Sequence, residues 1–284
     1  MKIEMRSRKF FISILKTMIL YLVVGIGAFI FTLPFLWMIS TSLKPEYDIF
    51  VLPPKWIPNP PLWENYPKGW SILPFNLFLK NTLIIVTNNL IGNLISCSLV
   101  AYGFARLRHP LRDTLFMLLI STMMIPYSVT MIPLFILYNK LGWVNTFKPL
   151  MVPPWFGYPF FIFLLRQFFM GLPKELDEAA KIDGCSNWRI YWNIILPLSK
   201  PALATVAIFS FLGNWNDFLG PLIYLSSQEK YTIAIGLNLF RGQYFTYMGY
   251  MMAVSVITVL PVIVIFLLAQ QYFIKGIVMS GLKG

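Results

Sequence analysis

The sequence predicts an all-α integral membrane protein with six transmembrane helices, and three observations support this fold class. Hydrophobic residues fill 57% of the 284 positions and charged residues only 12%, against about 25% charged residues in an ordinary soluble domain. The mean hydropathy is +0.68. The apolar residues also form runs of about 20 residues or more, the helix length that crosses a hydrocarbon core of about 30 Å. Helices are predicted because an open sheet edge cannot satisfy its backbone groups in lipid.

Six apolar runs supply the predicted spans of a single membrane domain that covers residues 1–284. Their predicted bounds are 17–41, 82–105, 114–138, 149–166, 201–224 and 246–274. The first run is too long for the core of a signal peptide and lacks a small-residue cleavage site, so it is predicted to be an uncleaved anchor. The third run contains Pro126, which is predicted to bend its helix and free a backbone carbonyl group.

The distribution of lysine and arginine predicts the orientation, because cytoplasmic segments carry an excess of positive charge. With the N-terminus inside, fifteen of these residues fall in inner segments and eight in outer ones. Both termini and the segment 167–200 are therefore predicted to be cytoplasmic. A net charge of +12 is also typical of nucleic-acid binding, but here the basic residues are spread between apolar spans instead of forming one basic face.

The predicted outer segment 44–80 is rich in proline. Its eight prolines exclude a long regular helix. We expect this segment to lie on the outer surface as a lid or a partner-facing loop, and a passive linker is the alternative.

The fifth predicted span is unusually polar, since it contains Asn214, Asn216 and Asp217. A carboxylate within a membrane span is costly unless it faces water or a partner, so these residues form a functional-site hypothesis. The distance from the start of the span places Asp217 in the outer third of the bilayer. Two interpretations stay open: the residues line a translocation path, or they bond a neighbouring helix for structural reasons.

A polar stretch, residues 178–197, interrupts the apolar spans. Acidic residues precede it in the first turns of a predicted helix, where they meet the positive end of the helix dipole, and Ala179 and Ala180 favour that helix. Gly184 is expected to end the helix, because glycine adopts a positive φ without a Cβ penalty. A second helix is expected from Asn187. Two short helices meeting at a glycine predict a surface that docks another protein, and a solvated amphipathic connector is the alternative.

The sequence lacks the motifs that would let the chain work alone. It has no GxxxxGK[ST] loop for ATP, no HExxH pattern and no paired carboxylates for acid–base catalysis. A carrier driven by ions would need ionisable groups near the midplane, and only Asp217 comes close. Cys97, Cys185 and His109 have no metal-ligand spacing. We therefore expect no catalytic residue, no metal and no bound cofactor, and a passive pathway that another subunit drives.

The polar stretch resembles the coupling loop of binding-protein-dependent ABC importer permeases. Its matching positions are Glu178-Ala179-Ala180, then Gly184 after three residues, Ile194 after nine more, and Leu196-Pro197 after one more. The segments 101–116, 124–141, 214–222 and 270–284 are similar to the carbohydrate-uptake branch of that family, particularly its maltose-type, MalG-like subunit. The resemblance covers nearly the whole chain from about residue 20. The proline-rich outer segment is the least similar part.

The resemblance implies a six-span permease subunit with the type I ABC importer fold. The coupling residues that it implies are Glu178, Ala179, Ala180, Asp183 and Gly184. It also implies two ATP-binding-cassette subunits that hold ATP and Mg²⁺, a second and different permease chain, and an extracytoplasmic solute-binding protein. The expected location is the inner membrane of a bacterial cell.

The resemblance further implies that the solute-binding protein contacts residues 226–245 and that the cargo is a sugar, in particular an oligosaccharide. Sugar contacts are not assigned to this chain, because the maltose-type family holds its sugar mainly on the other permease subunit. A permease for another solute, such as glycerol phosphate or a polyol, is one alternative. A secondary carrier or channel that works alone is another, and a membrane scaffold without transport is a third.

Overall fold

The computed structural model describes residues 2–241 and 247–281, with side chains for 14–241 and 247–270. Within these residues the chain forms fifteen α-helices, in agreement with the predicted all-α class. They are α1 Lys2–Ser42, α2 Glu46–Ile49, α3 Asn65–Ile72, α4 Phe75–Arg106, α5 Arg112–Ser121, α6 Tyr127–Lys140, α7 Lys148–Met151, α8 Pro159–Gly171, α9 Glu175–Ile182, α10 Asn187–Ile190, α11 Leu196–Leu198, α12 Lys200–Trp215, α13 Leu219–Tyr224, α14 Ile233–Leu239 and α15 Met248–Gly281. A π-helical turn, Tyr191–Ile195, joins α10 to α11.

Three of the described helices are long and apolar enough to cross a membrane alone: Ile14–Ser42, Phe75–Arg106 and Met248–Gln270. Three further apolar segments are pairs of helices with a bend between them, so the described residues provide up to six crossings if each pair counts as one. The bends measure 96° between α5 and α6, 75° between α8 and α9, and 77° between α11 and α12. The exact bounds of the spans and the side that each terminus faces stay predictions.

The predicted bend at Pro126 is confirmed. Helix α5 ends at Ser121 and continues as a 3₁₀ turn, Thr122–Met124, before Ile125 adopts an extended conformation with φ −82° and ψ 112°. The residue before a proline is pushed out of the helical region by the proline ring, which explains why the helix stops there. The chain restarts as α6 directly after Pro126.

The chain divides into two compact units, and the first comprises residues 1–72 with 240–257. Its proline-rich part is folded onto itself rather than extended. The Asn65 amide donates to the carbonyl oxygens of Ser42 at 2.9 Å and Lys44 at 3.2 Å. The Glu46 carboxylate accepts the backbone N–H groups of Met248 and Gly249 at 2.8 and 3.2 Å, which satisfies two free donors at the start of α15.

The second unit comprises residues 73–239 and 258–284, and α4 is its central helix. Helices α8 and α12 pack against α4 around a buried apolar core. Its fully buried members include Cys97, Ala101, Leu165, Phe169, Ile190, Ile195 and Val206. Small residues allow the close packing: a Cβ atom added to Gly92 would lie 3.2 Å from the Trp155 ring. This core fixes the direction in which the chain leaves α8 and enters the polar stretch.

Candidate docking loop

The helix α9 ends in a Schellman motif that explains the glycine. Gly184 has a φ of +77°. Its N–H donates to the carbonyl oxygen of Lys181 at 3.0 Å, and the N–H of Cys185 donates to that of Ala180 at 2.9 Å. These two bonds satisfy carbonyl groups that the helix end would otherwise leave free. The predicted break at Gly184 is therefore confirmed, and the second helix, α10, begins at Asn187 as expected.

Arg106 at the end of α4 bonds the backbone at the end of α8 and forms an ion pair with α9. The Arg106 Nη2 atom donates to the carbonyl oxygens of Phe169 at 2.7 Å and Leu172 at 2.9 Å. The Nη1 atom lies 3.4 Å from Asp177 Oδ2, with the two side chains only 3% and 12% exposed. Breaking a buried pair leaves an uncompensated charge, which makes such a contact hard to separate. Sequence reasoning missed this pair because its partners belong to distant segments.

Two tyrosines attach α10 to the same helix. The Tyr102 hydroxyl donates to the carbonyl oxygen of Asn187 at 3.1 Å, and the Ser98 and Tyr191 hydroxyls lie 2.8 Å apart. The rings of Tyr102 and Tyr191 contact each other, with centroids 5.3 Å apart. The Ser186 hydroxyl caps α10 by accepting the N–H of Arg189 at 3.3 Å. Both short helices are thus fixed to α4 on their inner faces.

Exposed apolar side chains lie among the charged residues of α9, α10 and the turn that follows; we call the exposed residues Glu178, Ala179, Ile182, Trp188 and Trp192 the docking patch. Ile182 is 86% exposed and Trp188 60%. An exposed apolar surface bordered by charges is typical of a protein interface. The sequence analysis did not assign Trp188 and Trp192 to it, although aromatic residues four positions apart near a helix could have indicated one face.

The five predicted coupling residues lie together, but they do not all face outward. Glu178, Ala179, Asp183 and Gly184 are exposed, whereas Ala180 is only 6% exposed and belongs to the apolar core. The reason is helical spacing: Ala180 follows the buried Asp177 by three residues and shares its inner face. Ala180 therefore supports the turn from beneath.

The polar residues of the fifth predicted span are divided by a break. Helix α12 ends at Trp215, and α13 begins at Leu219. Asn214 bonds α4, since its Oδ1 atom accepts from Asn89 Nδ2 at 2.5 Å. Asp217 lies in the break and accepts the N–H of Gly220 at 3.1 Å. Asn216 is exposed, and its amide donates to Leu212 of its own helix at 2.9 Å. A role in a translocation path stays a prediction for these residues.

Several asparagines on α4 form polar contacts with α12 and with the segment around α7, and sequence reasoning missed them. Asn89 also donates to the carbonyl oxygen of Leu150 at 3.0 Å, and Asn93 donates to the Ser210 hydroxyl at 3.0 Å. Asn88 donates to the carbonyl oxygen of Met151 at 2.8 Å. Amides at four-residue spacing within an apolar helix are a signal that could have been recognised.

The N-terminal end of α4 and a turn at Asn145 fix the segment that follows α13. Asn81 donates to the carbonyl oxygens of Glu229 at 2.8 Å and Tyr231 at 3.0 Å. Asn145 has a φ of +59°, an uncommon conformation that asparagine tolerates. Its Oδ1 atom accepts the N–H groups of Ser226 and Ser227 at 3.2 and 3.1 Å. The described part of the predicted binding-protein contact, 226–241, is therefore anchored at its start; residues 242–246 lie outside the described chain.

Known proteins of similar sequence are transport permeases. The chain is 34% identical to the arabinooligosaccharides transport system permease protein AraQ of Bacillus subtilis, over 90% of this chain and 92% of that protein. It is 32% identical to the diacetylchitobiose uptake system permease protein NgcG of Streptomyces coelicolor, over 87% and 82%. It is also 32% identical to the sn-glycerol-3-phosphate transport system permease protein UgpE of Yersinia pestis, over 91% and 94%.

A structural superposition and a family model lead to the same class of protein. A chain of a bacterial ABC transporter involved in the import of the acidic polysaccharide alginate superposes with a TM-score of 0.80 at 22% identity, over 90% of this chain and 95% of that chain. Residues 95–278 match the family model described as the inner membrane component of binding-protein-dependent transport systems. Because that match covers more than half of the sequence, the chain belongs to the family of binding-protein-dependent transport system inner membrane components.

Proposed function

We propose that this chain is the permease subunit of an ATP-driven importer that takes up a sugar, in particular an oligosaccharide. Family membership supports the class of transporter. The cargo is suggested by the similar permeases that are named for arabinooligosaccharides and diacetylchitobiose. In this proposal ATP and Mg²⁺ bind to two separate ATP-binding-cassette subunits, and the present chain makes and breaks no covalent bond.

One observation supports the mechanism: the residues of the docking patch are exposed, while the helices that carry them are joined to α4 by the Arg106–Asp177 ion pair and the bond from Tyr102 to Asn187. In our proposal the patch enters a cleft on the ATP-binding-cassette subunit, with Glu178 and Asp183 at its polar border. Trp188 and Trp192 supply the apolar contact, since aromatic side chains dominate the energy of many interfaces.

Movement of the ATPase subunit would then reach the membrane helices through the contacts beneath the patch. A displacement of α9 pulls on Arg106 through Asp177, and a displacement of α10 pulls on Tyr102. Arg106 and Tyr102 both belong to α4, which packs against α8 and α12. We propose that this group of helices tilts as one body and opens the pathway alternately to each side, together with a second permease chain.

The proposal is tested by reconstituting the chain with its ATPase subunits, second permease and binding protein, and by measuring uptake and ATP hydrolysis in the same vesicles. Glu178→Lys and Gly184→Pro should insert into the membrane normally and lose the link between solute uptake and ATP hydrolysis. Lys140→Gln, which changes an exposed residue at the end of α6, is the control and should transport normally. Unchanged uptake in both loop variants would contradict the coupling role.

A second candidate cargo is a glycerol phosphate or a polyol. The observation that favours it is the 32% identity to the sn-glycerol-3-phosphate permease over more than nine tenths of both chains. A thermal-shift screen of the associated binding protein separates the two cargoes: stabilisation by oligosaccharides supports the first, and stabilisation by glycerol 3-phosphate alone supports the second. Uptake by the purified chain without any ATPase would instead indicate a carrier that works alone.

A further inference from the structure

The turn between α4 and α5 lies at the membrane surface. Helix α4 is a candidate span that ends at Arg106, and α5 starts the next candidate span at Arg112. Only residues 107–111 connect the two helices. Five residues reach at most about 17 Å when fully extended, so this turn cannot move far from the boundary at which the two helices meet water. Its side chains are therefore within reach of lipid headgroups.

The turn and its surroundings carry more positive than negative charge. Four arginines share two carboxylates; the arginines are Arg106, Arg108, Arg112 and Arg166, and the carboxylates are Asp113 and Asp177. Asp177 pairs with Arg106, while Asp113 lies 3.0 Å from Arg112 Nε and 3.5 Å from Arg166 Nη2. Arg108 is exposed and makes no ion pair or hydrogen bond with the residues that the structure describes. A positive charge is left available for an anion.

Arg108 and its neighbours in the turn surround one open concavity. Arg108, His109, Pro110 and Arg112 line a cavity of about 330 Å³. The N–H of Leu111 donates to His109 Nδ1 at 3.2 Å. That bond requires an unprotonated Nδ1 atom and leaves the Nε2 atom to carry a proton, so the imidazole offers a donor. Asp113 takes the Nε and Nη2 atoms of Arg112 at 3.0 and 3.3 Å, which leaves the Nη1 atom of that side chain for a ligand. The unpaired Arg108 guanidinium, this Nη1 atom and the imidazole N–H together suit a phosphate, which accepts hydrogen bonds and matches the planar fork of arginine.

An apolar stripe begins beside this concavity and runs along α5. Leu111, Leu115 and Leu118 follow one another at helical spacing, and each is between 47% and 59% exposed. A free phosphate ion would make no use of such a stripe. A phospholipid uses both features, because its headgroup carries the phosphate and its acyl chains run from the interface into the membrane.

We propose that the α4–α5 turn binds an anionic phospholipid, with the headgroup phosphate at Arg108, His109 and Arg112 and an acyl chain along the leucine stripe. Basic side chains next to a membrane span attract anionic lipid, at about 1 kcal/mol per arginine or about five-fold in affinity. The site is adjacent in sequence to Arg106, which pairs with Asp177 in the docking loop, the segment 175–197 that contains α9 and α10. A bound lipid thus fixes the turn from which that contact is made.

The test uses the purified full chain in detergent and native mass spectrometry with dioleoyl phosphatidylglycerol and dioleoyl phosphatidylcholine. Wild-type protein should retain more dioleoyl phosphatidylglycerol than dioleoyl phosphatidylcholine. Arg108→Gln should weaken retention about five-fold. Adding Arg112→Gln should weaken retention further but by a smaller factor, because Asp113 already balances the Arg112 charge. Lys174→Gln with Lys200→Gln removes the same charge from exposed residues elsewhere on the predicted cytoplasmic side and should change retention little.

A second pair of measurements distinguishes a lipid from other ligands. Leu115→Gln with Leu118→Gln should weaken retention of dioleoyl phosphatidylglycerol relative to the wild type. Binding of soluble glycerol phosphate, which lacks acyl chains, should be weak and should not differ between this variant and the wild type. Equal retention by wild type and the arginine variants would overturn the proposal, as would an equal loss in the lysine control. The same Arg108→Gln variant is also purified after co-expression with the ATPase subunits: loss of an ATPase subunit with unchanged lipid retention would overturn the proposal and show that the turn docks a protein. Should the double arginine variant unfold, Arg108→Gln decides alone, because Arg108 is exposed and unpaired within the described chain.

Discussion

The two ends of α4 hold their neighbouring segments by different chemistry. At the end near Arg106, a buried ion pair and tyrosine hydroxyls attach the docking loop. At the opposite end, neutral amides such as Asn81 bind backbone carbonyl oxygens of the segment after α13. A neutral hydrogen bond contributes about 1 kcal/mol each, whereas separating a buried ion pair costs several times more. The comparison shows one end of α4 attached by a buried charge pair and the other end attached by several smaller contributions.

The largest effect is expected from breaking the ion pair. Asp177→Leu leaves the Arg106 guanidinium buried without its carboxylate, and we expect it to lower the free energy of unfolding by about 3 kcal/mol. Thermal unfolding of the purified chain measures this change. Glu175→Ala, an exposed change in the same helical turn, is the control and should cost well under 1 kcal/mol. A loss as small as the control's would mean that the pair does not hold the loop.

The next largest effect is expected in the segment after α13, from Asn145→Ala. Alanine loses the side-chain bonds to Ser226 and Ser227 and must still adopt a φ of +59°, so we expect a cost of about 2 kcal/mol. Asn145→Gly separates the two causes, because glycine adopts that φ freely and should recover part of the loss. The exposed Asn139→Ala serves as control in the same unfolding measurement. Equal stability of all three variants would contradict the proposed role of this turn.

A smaller effect is expected from Gly184→Ala in the docking loop. The space around Gly184 is open, so only the φ of +77° opposes a side chain, and the cost should be about 1 kcal/mol. The backbone N–H of Cys185 makes the second bond of the turn, so strain at Gly184 should loosen this residue and let its thiol react faster with a maleimide. The buried Cys97 thiol should react at an unchanged rate. Gly213→Ala is the matched control: it lies in α12 with open space and no positive φ. Equal effects of the two changes would rule out conformational strain as the cause.

Local rules predicted the features that depend on a few neighbouring residues. Pro126 bends its helix and Gly184 ends another because each acts on the backbone beside it. The contact between Arg106 and Asp177 could not be predicted in the same way, because it exists only once α4 and α8 are packed together. The inward direction of Ala180 has the same origin: its helical face is chosen by the core. The asparagines of α4 are an intermediate case, since their spacing was visible in the sequence and their partners were not.

The smallest effect concerns the amide contacts of α4, and it separates two neighbouring asparagines. Asn214→Ala removes the bond from Asn89 across α4 and α12, and measured hydrogen bonds between membrane helices average about 0.6 kcal/mol, so we expect a loss of that size. Asn216→Ala removes only a bond within its own exposed helical turn and should leave the unfolding transition unchanged. Solute uptake is measured for the same two variants, to separate a role in transport from a role in stability. Slower uptake in Asn216→Ala at unchanged stability would support a place for Asn216 on the translocation path, whereas a loss of stability there would show that its amide is structural.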